Sequence, residues 1–407
     1  MRYATLWSLA IVLLATFKLP AAELTDLYQA QVPATGSAAQ WQRAALSQVF
    51  VKLTGSEAVL SQPAIMAELK NSANYMKQFQ NVQVEAQSLI QVHFDEQKIT
   101  ALLQRERIAM MGTRRPDQLI WISQQMQQQP QFVLDNQHPV RKALLEQASQ
   151  LGLSLVFPLY DVDDLAVLNE QALWTGDWSL IEQASARYSG TTAHNLLFDQ
   201  FTDATGTVTF RLIAQYWQDG QMQSREYTNV DARQLGLLFS RDLAAQLAAK
   251  YAVNIDTLQT QGAELLLTVD AVNSLEHLVA VQKIFSSLLS VKSQTLTEFQ
   301  QGRAVFKIAL AASEDDFYRT IALVTQLKAQ AQLDVAPTPE LLAAEAQLDA
   351  QFEADLPIND APTTPPAEST ASPVNEAPVV EEATAVNGLT SPEASFQKTN
   401  HFIFVGH

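Results

Sequence analysis

The stretch LLLTVDAVNSLEHLVAVQKIF, residues 265–285, changes its apolar period partway through and so fixes the kind of module that closes the chain. Leu265 to Val269, apolar except for Thr268, has the length and composition of a strand. Asn273 with Glu276 then has the spacing of a capping box, and Leu278, Ile284, Phe285 and Leu288 recur at helical intervals. Beyond it, Val291 to Phe299 and Ala304 to Leu310 read as strands joined by a turn at Gln301-Gly302. Ser313 with Asp316 caps a further helix through Phe317, Ile321, Val324 and Leu327, and Leu333-Asp334-Val335 can return as a short edge strand. Strand, helix, strand, strand, helix, strand is the split βαβ order, so residues 262–336 are expected to form a ferredoxin-like βαββαβ module.

Upstream, Leu119-Ile120-Trp121-Ile122 starts a strand, and Pro139 opens a helix whose stripe of Val140, Leu144, Ala148 and Leu151 ends at Gly152. Leu153 to Tyr160 is a continuous apolar run, expected to be a strand buried on both faces and parallel to the first. A helix over Trp178 to Tyr188 follows. The period then changes to two across Val208, Phe210, Leu212, Ala214 and Tyr216, with Asp219-Gly220 as a hairpin signal, and a helix over Ala232 to Tyr251 closes a middle α/β domain of residues 117–255. The amino-terminal part, residues 23–111, reads as a small α/β unit. It has a strand at Leu27 to Val32, a helix through Trp41, Leu46, Phe50 and Leu53 ended by Gly55, a helical stretch from Pro63 to Phe79, a strand at Leu89 to Phe94 and a helix capped by Asp95. The expected fold class is therefore multidomain, α/β and α+β.

The ends differ in kind from this interior. Arg2, the apolar run Leu6 to Phe17 and the exit Leu19-Pro20-Ala21-Ala22 read as an export signal over residues 1–22, too short for a comfortable membrane span. From Pro337 the composition turns to Ala, Pro, Thr, Glu and Val. Between Thr338 and Ser395 every charged residue is acidic, and such a segment is expected to form a disordered tail over 337–407. That tail carries much of the formal net charge of -17. An acidic chain lacks the clustered cations that nucleic-acid backbones and anionic membranes require, so neither is an expected partner. With no cysteine, thiol nucleophiles and disulfides are excluded.

Three groups of residues carry candidate chemistry. Asp161, Asp163 and Asp164 follow the carboxyl end of the expected strand at Leu153 to Tyr160, where open α/β sheets place ligands; they could hold Mg²⁺ or Ca²⁺ or supply a general base, or Asp161 could end the strand while Asp163 or Asp164 caps the next helix. Arg114 and Arg115 could grip an anion at the domain junction, or fix domain orientation by pairing with an acidic neighbour. Phe402, Ile403, Phe404 and Val405 form an apolar cluster on a polar stalk, suited to docking on a partner's sheet edge or groove, or to folding back on the chain's own domain. The six histidines show no metal-binding spacing, and no Walker loop, dinucleotide fingerprint or nucleophile elbow occurs, so no cofactor is expected.

Several segments resemble the proteobacterial exported proteins catalogued as domain of unknown function 2066. They are Leu27 to Val32, Ala44-Ala45-Leu46, Val51 to Gly55, Gly112 with Arg115-Pro116, Pro158 to Asp164, Ala184 to Tyr188 and Ala249 to Val253. The resemblance spans about residues 24–330. It implies a Gram-negative periplasmic location and the domain order above, and it supplies no activity. A non-enzymatic role in binding envelope proteins is accordingly favoured over a carboxylate or metal enzyme built on Asp161, Asp163 and Asp164, with membrane attachment only through an uncleaved signal.

Overall fold

Serine, aspartate and glycine punctuation places most of the helices, and tertiary pairing places the strands. The structure is a computed structural model that describes residues 26–330 and 398–406, apart from 85–86, 127, 189, 203, 219 and 256–262. The export signal, the acidic segment up to residue 397 and the edge strand expected at Leu333 to Val335 lie outside the described residues. The described part is mixed α/β, with three sheets.

Strand β1 (Gln29–Pro33) buries Ala30 and Val32 and leads to helix α1 (Ala38–Thr54). Gln40 reaches back to the Ser37 amide at the start of α1, and Gly55, at φ 70°, donates to the Val51 carbonyl at its end. Helix α2 (Pro63–Glu68) gives way to single turns through Tyr75, and then to a hairpin, β2 (Met76–Val84) with β3 (Gln87–Phe94). The helical expectation over 63–79 thus holds as α-helix only to Glu68, loosens to tighter turns to Tyr75 and fails from Met76 onward. β2 is an edge strand with nearly every residue exposed, so its glutamines carry no alternation. Helix α3 (Glu96–Arg105), capped by Asp95, completes this part around a three-stranded antiparallel sheet ordered β1-β3-β2.

The second sheet is built on β4 (Asp117–Met126). Its strands β5 (Gln129–Phe132), β4, β7 (Thr191–Thr202), β8 (Val208–Gln218) and β9 (Gln221–Asn229) lie in that order, with only β4 and β7 parallel along this path. Parity along β4 divides two cores. Ile120 and Ile122 join the cluster containing Val140 and Leu144 of α4 (Pro139–Leu151) and Leu235, Phe239 and Leu243 of α8 (Ala232–Tyr251). Leu119 and Trp121 join Leu168, Leu173 and Ile181, borne on and beside α5 (Val162–Val167), α6 (Glu170–Thr175) and α7 (Trp178–Ser185). The first of these cores runs without a break into the residues of α1 and β1. α4 and α8 approach closely at Gly236, where an added Cβ would lie 2.7 Å from Ala143 Cβ and 2.8 Å from the Val140 carbonyl oxygen.

The buried strand expected from Leu153 to Tyr160 shrinks to β6 (Leu155–Val156), which pairs parallel with β4 at Gln118 and Leu119. The edge of β4 is occupied beyond that point. The Tyr160 hydroxyl accepts from the Ile122 amide at 3.2 Å, the Ile122 carbonyl accepts from Val133, and β5 takes the edge from Ser123 onward.

The third sheet contains β10 (Glu264–Asp270), β11 (Val291–Gln300), β12 (Arg303–Leu310), β13 (Leu327–Ala329) and β14 (His401–Phe404), with helices α9 (Leu275–Ser287) and α10 (Glu314–Ile321). Ser274, one residue beyond the expected Asn273, caps α9 by accepting from the His277 amide; Ser313 caps α10 as the sequence predicts. The strand order is β11-β12-β10-β14-β13. β14 therefore lies inside the sheet, parallel to β10 and antiparallel to β13.

Candidate functional site

The loop after β6 positions the three aspartates. Tyr160 adopts φ 51°, an uncommon left-handed conformation for a tyrosine, which turns the chain immediately before Asp161 caps α5. Asp161 Oδ1 accepts from the Asp164 amide at 3.1 Å, so the cap is Asp161 itself and not Asp163 or Asp164 as expected, because the chain turns at Tyr160 and α5 starts at Val162. The side chain of Asp164 is wholly buried. Its Oδ2 accepts from the Tyr188 hydroxyl at 2.7 Å and the Tyr160 amide at 2.8 Å, while its Oδ1 accepts from Arg187 at 3.0 Å. The Tyr188 hydroxyl in turn accepts from the Leu159 amide at 2.8 Å.

Arg187 lies just beyond α7 and spans the cluster. One terminal nitrogen is 2.5 Å from Asp161 and 3.0 Å from Asp164; the other is 3.0 Å from Asp161 and 3.8 Å from Asp163. Its hydrogen bond to Asp161 raises the guanidinium pKa and holds the Asp161 carboxyl below its usual range. Burial raises the Tyr188 hydroxyl, and the Asp164 carboxylate that it donates to raises it further. Burial also pushes Tyr160 up to about 12. Beneath the network, the Trp121 ring meets Tyr160 edge-on at 5.4 Å and Tyr188 edge-on at 6.3 Å, and its Nε1 donates to Ser185 Oγ at 2.9 Å.

This arrangement places a guanidinium where a divalent ion would need to sit. Both Asp164 oxygens are engaged by donors, and Asp161 is neutralised by Arg187. Among the described residues no group of three or more His, Cys, Asp or Glu side chains is arranged to hold a metal ion. Arg187 and Tyr188 are the members of this site that sequence reasoning did not single out. The available signal was an arginine at the end of the helix expected over residues 178–188, in a chain with 26 cationic and 43 acidic residues.

Arg115 is 1% exposed and, among the described residues, has no carboxylate partner at hydrogen-bonding distance. It donates to the Lys52 carbonyl at 2.7 Å, the Gly152 carbonyl at 2.7 Å, Leu151 at 3.3 Å and Gly112 at 3.4 Å. The first three are the terminal carbonyls of α1 and α4, whose dipoles present partial negative charge to a cation. The side chain thus joins two helix ends across the turn into β4, through backbone carbonyls and not through the acidic neighbour expected from the sequence. Burial lowers its pKa to about 10, so it remains a cation at neutral pH. Arg114 takes no part in these bonds. It lines a cavity of about 20 Å³ with Met111, Leu247, Tyr251, Leu289 and Leu323, room for about one water, and its Nε is buried with no hydrogen-bond partner among the described residues.

Phe402 and Phe404 are 3% and 6% exposed and pack within the third core beside Val269, Phe317, Ile321 and Leu327; Ile403 is half-buried and Val405 exposed. The structure therefore separates the three groups: the aspartates and Arg187 on the α5–α7 face of the second sheet, Arg115 at the ends of α1 and α4, and the apolar cluster inside the third sheet. Two histidines also feel burial, His194 fully and His138 in part. His194 hydrogen-bonds Gln118 at 2.9 Å and His138 rests edge-on against Phe198; burial drives the pKa of each down to about 4.

A family model described as a domain of unknown function, DUF8605, matches residues 21–112. This overturns the resemblance to domain of unknown function 2066, because the match is to a different family and stops at Gly112. The segments that suggested the resemblance include local punctuation, such as Gly55 ending α1 and Asp161 starting α5, that recurs in unrelated folds. No curated protein and no solved structure matches the chain.

Proposed function

We propose that the chain is an exported, non-enzymatic binding or adaptor protein of the cell envelope, working in the periplasm with envelope proteins as partners. The observation that carries this reading is the internal neutralisation of its best candidate reactive group: Asp161 and Asp164 are bonded to Arg187, Tyr188 and backbone amides and hold α5 against α7. The signal-like opening of residues 1–22 supports the compartment. Among the described residues no helix is long and apolar enough to cross a membrane. The strand and helix order of residues 264–329 supports reading the last part as a ferredoxin-like module, alongside a small amino-terminal α/β unit and a middle α/β domain.

A binding role requires displayed surface. Leu159, Val162 and Leu165, at 69%, 81% and 48% exposure, project from the loop and helix that the Arg187 network fixes. Exposed apolar patches mark interaction surfaces, and these three residues fall within seven consecutive positions. The test is crosslinking in isolated envelopes, with the full chain carrying wild-type residues or Val162→Ser with Leu165→Ser. A discrete crosslinked partner that is lost from the variant at unchanged melting temperature is expected. Absence of any partner above a non-specific control would overturn the reading.

A further inference from the structure

The position of β14 goes beyond that reading. In a split βαβ module the first and last strands pair directly. Here β14 separates them, with Thr268, Val269 and Asp270 of β10 facing His401, Phe402 and Ile403 on one side, and Leu327, Lys328 and Ala329 of β13 facing Phe404, Ile403 and Phe402 on the other. β14 is the one strand to which β13 is paired among the described residues. Sixty-seven residues, 331–397, separate Gln330 from Lys398. Such a length reaches at most roughly 240 Å when extended.

We infer that this slot is an exchange site in which a second copy of the chain supplies β14, so that two copies associate by trading their carboxyl-terminal strands. The contacts that seat the strand are specific to its sequence. Phe402 and Phe404 fill the core, the Tyr318 hydroxyl donates to Asn400 Oδ1 at 2.5 Å, Thr399 Oγ1 donates to the Gln330 carbonyl at 2.8 Å, and Lys398 pairs with Asp315 at 2.7 Å. A foreign peptide would have to reproduce all of these, whereas a second copy carries them by construction. β10 is held by β12 on its other edge, through six residue pairs, so β14 can be replaced by its twin with that ladder intact. Exchange of an identical element is a low-cost route to association. The tether favours each chain's own strand in dilute solution, and mass action favours the partner's strand as concentration rises.

The chain has no cysteine, so introduced thiols report unambiguously. Lys328 and Ile403 are directly opposed on β13 and β14. Full-length Lys328→Cys chains mixed with full-length Ile403→Cys chains can form a 328–403 disulfide only between copies; the doubly substituted chain can form it within one. Intramolecular closure of the double variant in dilute solution is expected, together with a mapped 328–403 heterodimer whose yield rises at least tenfold between about 1 and about 500 µM. Closure of the double variant with no heterodimer at any concentration would overturn the exchange, as would failure of the double variant to close. A free peptide of residues 398–406 carrying the cysteine at 403 could instead crosslink to the Lys328→Cys chain while the mixed chains do not; that result would assign the slot to foreign segments and equally overturn it.

Discussion

Arg115 donates to the main-chain carbonyl of Lys52 at 2.7 Å, across a sequence separation of 63 residues. The same guanidinium holds the carbonyls of Leu151 and Gly152, so a single cation satisfies the ends of two helices that would otherwise present unpaired acceptors to each other. Replacing Arg115 with Met keeps much of the buried volume and removes every donor. Unmet buried acceptors cost about 1 to 3 kcal/mol each, so a loss of about 3 kcal/mol or more is expected in urea unfolding. Arg115→Lys should recover part of it, since one ammonium cannot reach both helix ends with the geometry of a fork.

The Asp164 network makes opposite demands on its neighbours. Asp164 accepts three hydrogen bonds through two oxygens, and an asparagine in its place would present an amide donor to at least one of the groups that now donate. Asp164→Asn is expected to destabilise by about 2 kcal/mol or more. Asp163, with its side chain 82% exposed and 3.8 Å from Arg187, should tolerate the same change with no shift in melting temperature. Because Arg187 occupies the space between the carboxylates, addition of Mg²⁺, Ca²⁺ or Mn²⁺ should leave the wild-type melt unmoved. A rise that disappears in Asp161→Asn would restore the metal-ligand reading.

Acid should weaken the fold through buried His194 and half-buried His138. His194 is 3% exposed, and burial lowers its pKa from 6.5 to about 4. The unfolded chain therefore takes up a proton that the folded chain refuses, and stability falls as pH drops from about 6.5 towards 4. At pH 5 the penalty from His194 is about 2 kcal/mol relative to neutral pH. His138 is shifted in the same direction by the same cause and adds to the trend. Urea unfolding of wild type and His194→Gln at pH 7 and pH 5 separates this from general acid effects: the variant is expected to lose less stability on acidification, whatever its starting value. An equal loss in both chains would place the sensitivity elsewhere.

Gly236 is the point where local and tertiary preferences conflict. Alanine is favoured over glycine inside a helix by about 1 kcal/mol. At 2.7 Å from Ala143 Cβ and 2.8 Å from the Val140 carbonyl, however, the new methyl group would force α4 and α8 apart, and overpacking of a core costs about 1 to 3 kcal/mol. The steric effect is expected to win, so that Gly236→Ala lowers the melting temperature. Adding Ala143→Gly relieves the side-chain contact and leaves the carbonyl contact, and should restore part of the loss.

The sequence was most legible where burial follows one helical face or where a cap is written in consecutive residues. Helix α8 runs over the span its pattern predicts because Leu235, Phe239, Leu243 and Leu247 repeat at intervals of four and are all buried. Ser313 marks the start of α10 for a similarly local reason. β2 was illegible because an edge strand with both faces in solvent has no need of alternation. β6 was over-read because apolar residues from Leu153 to Tyr160 do not reveal that a tyrosine hydroxyl already holds the next amide of β4. At the candidate site, the acidic trio was visible as a motif. Its neutralisation was not, because Arg187 lies 26 residues from Asp161 and reaches it only through the packing of α7 on α5.

The apolar cluster of residues 402–405 was visible too, but its partners lie far back in the chain, at Thr268 to Asp270 and Leu327 to Ala329. Reading it as a free docking motif implies that its removal leaves the melting curve unchanged. The structure gives the opposite expectation. Phe402 is 3% exposed among Val269, Phe317 and Leu327, and truncating a buried phenylalanine to alanine costs about 3 to 5 kcal/mol. Deleting residues 396–407 removes both phenylalanines and leaves β13 without its β14 partner, so its effect should exceed that of Phe402→Ala. Ile403, on the opposite side of the strand and half-buried, should cost less when truncated. Thermal melts of Phe402→Ala, Ile403→Ala and the deletion should therefore rank with the deletion lowest and Ile403→Ala closest to wild type. A deleted chain that melts like the full one would mean that β14 contributes nothing to the fold.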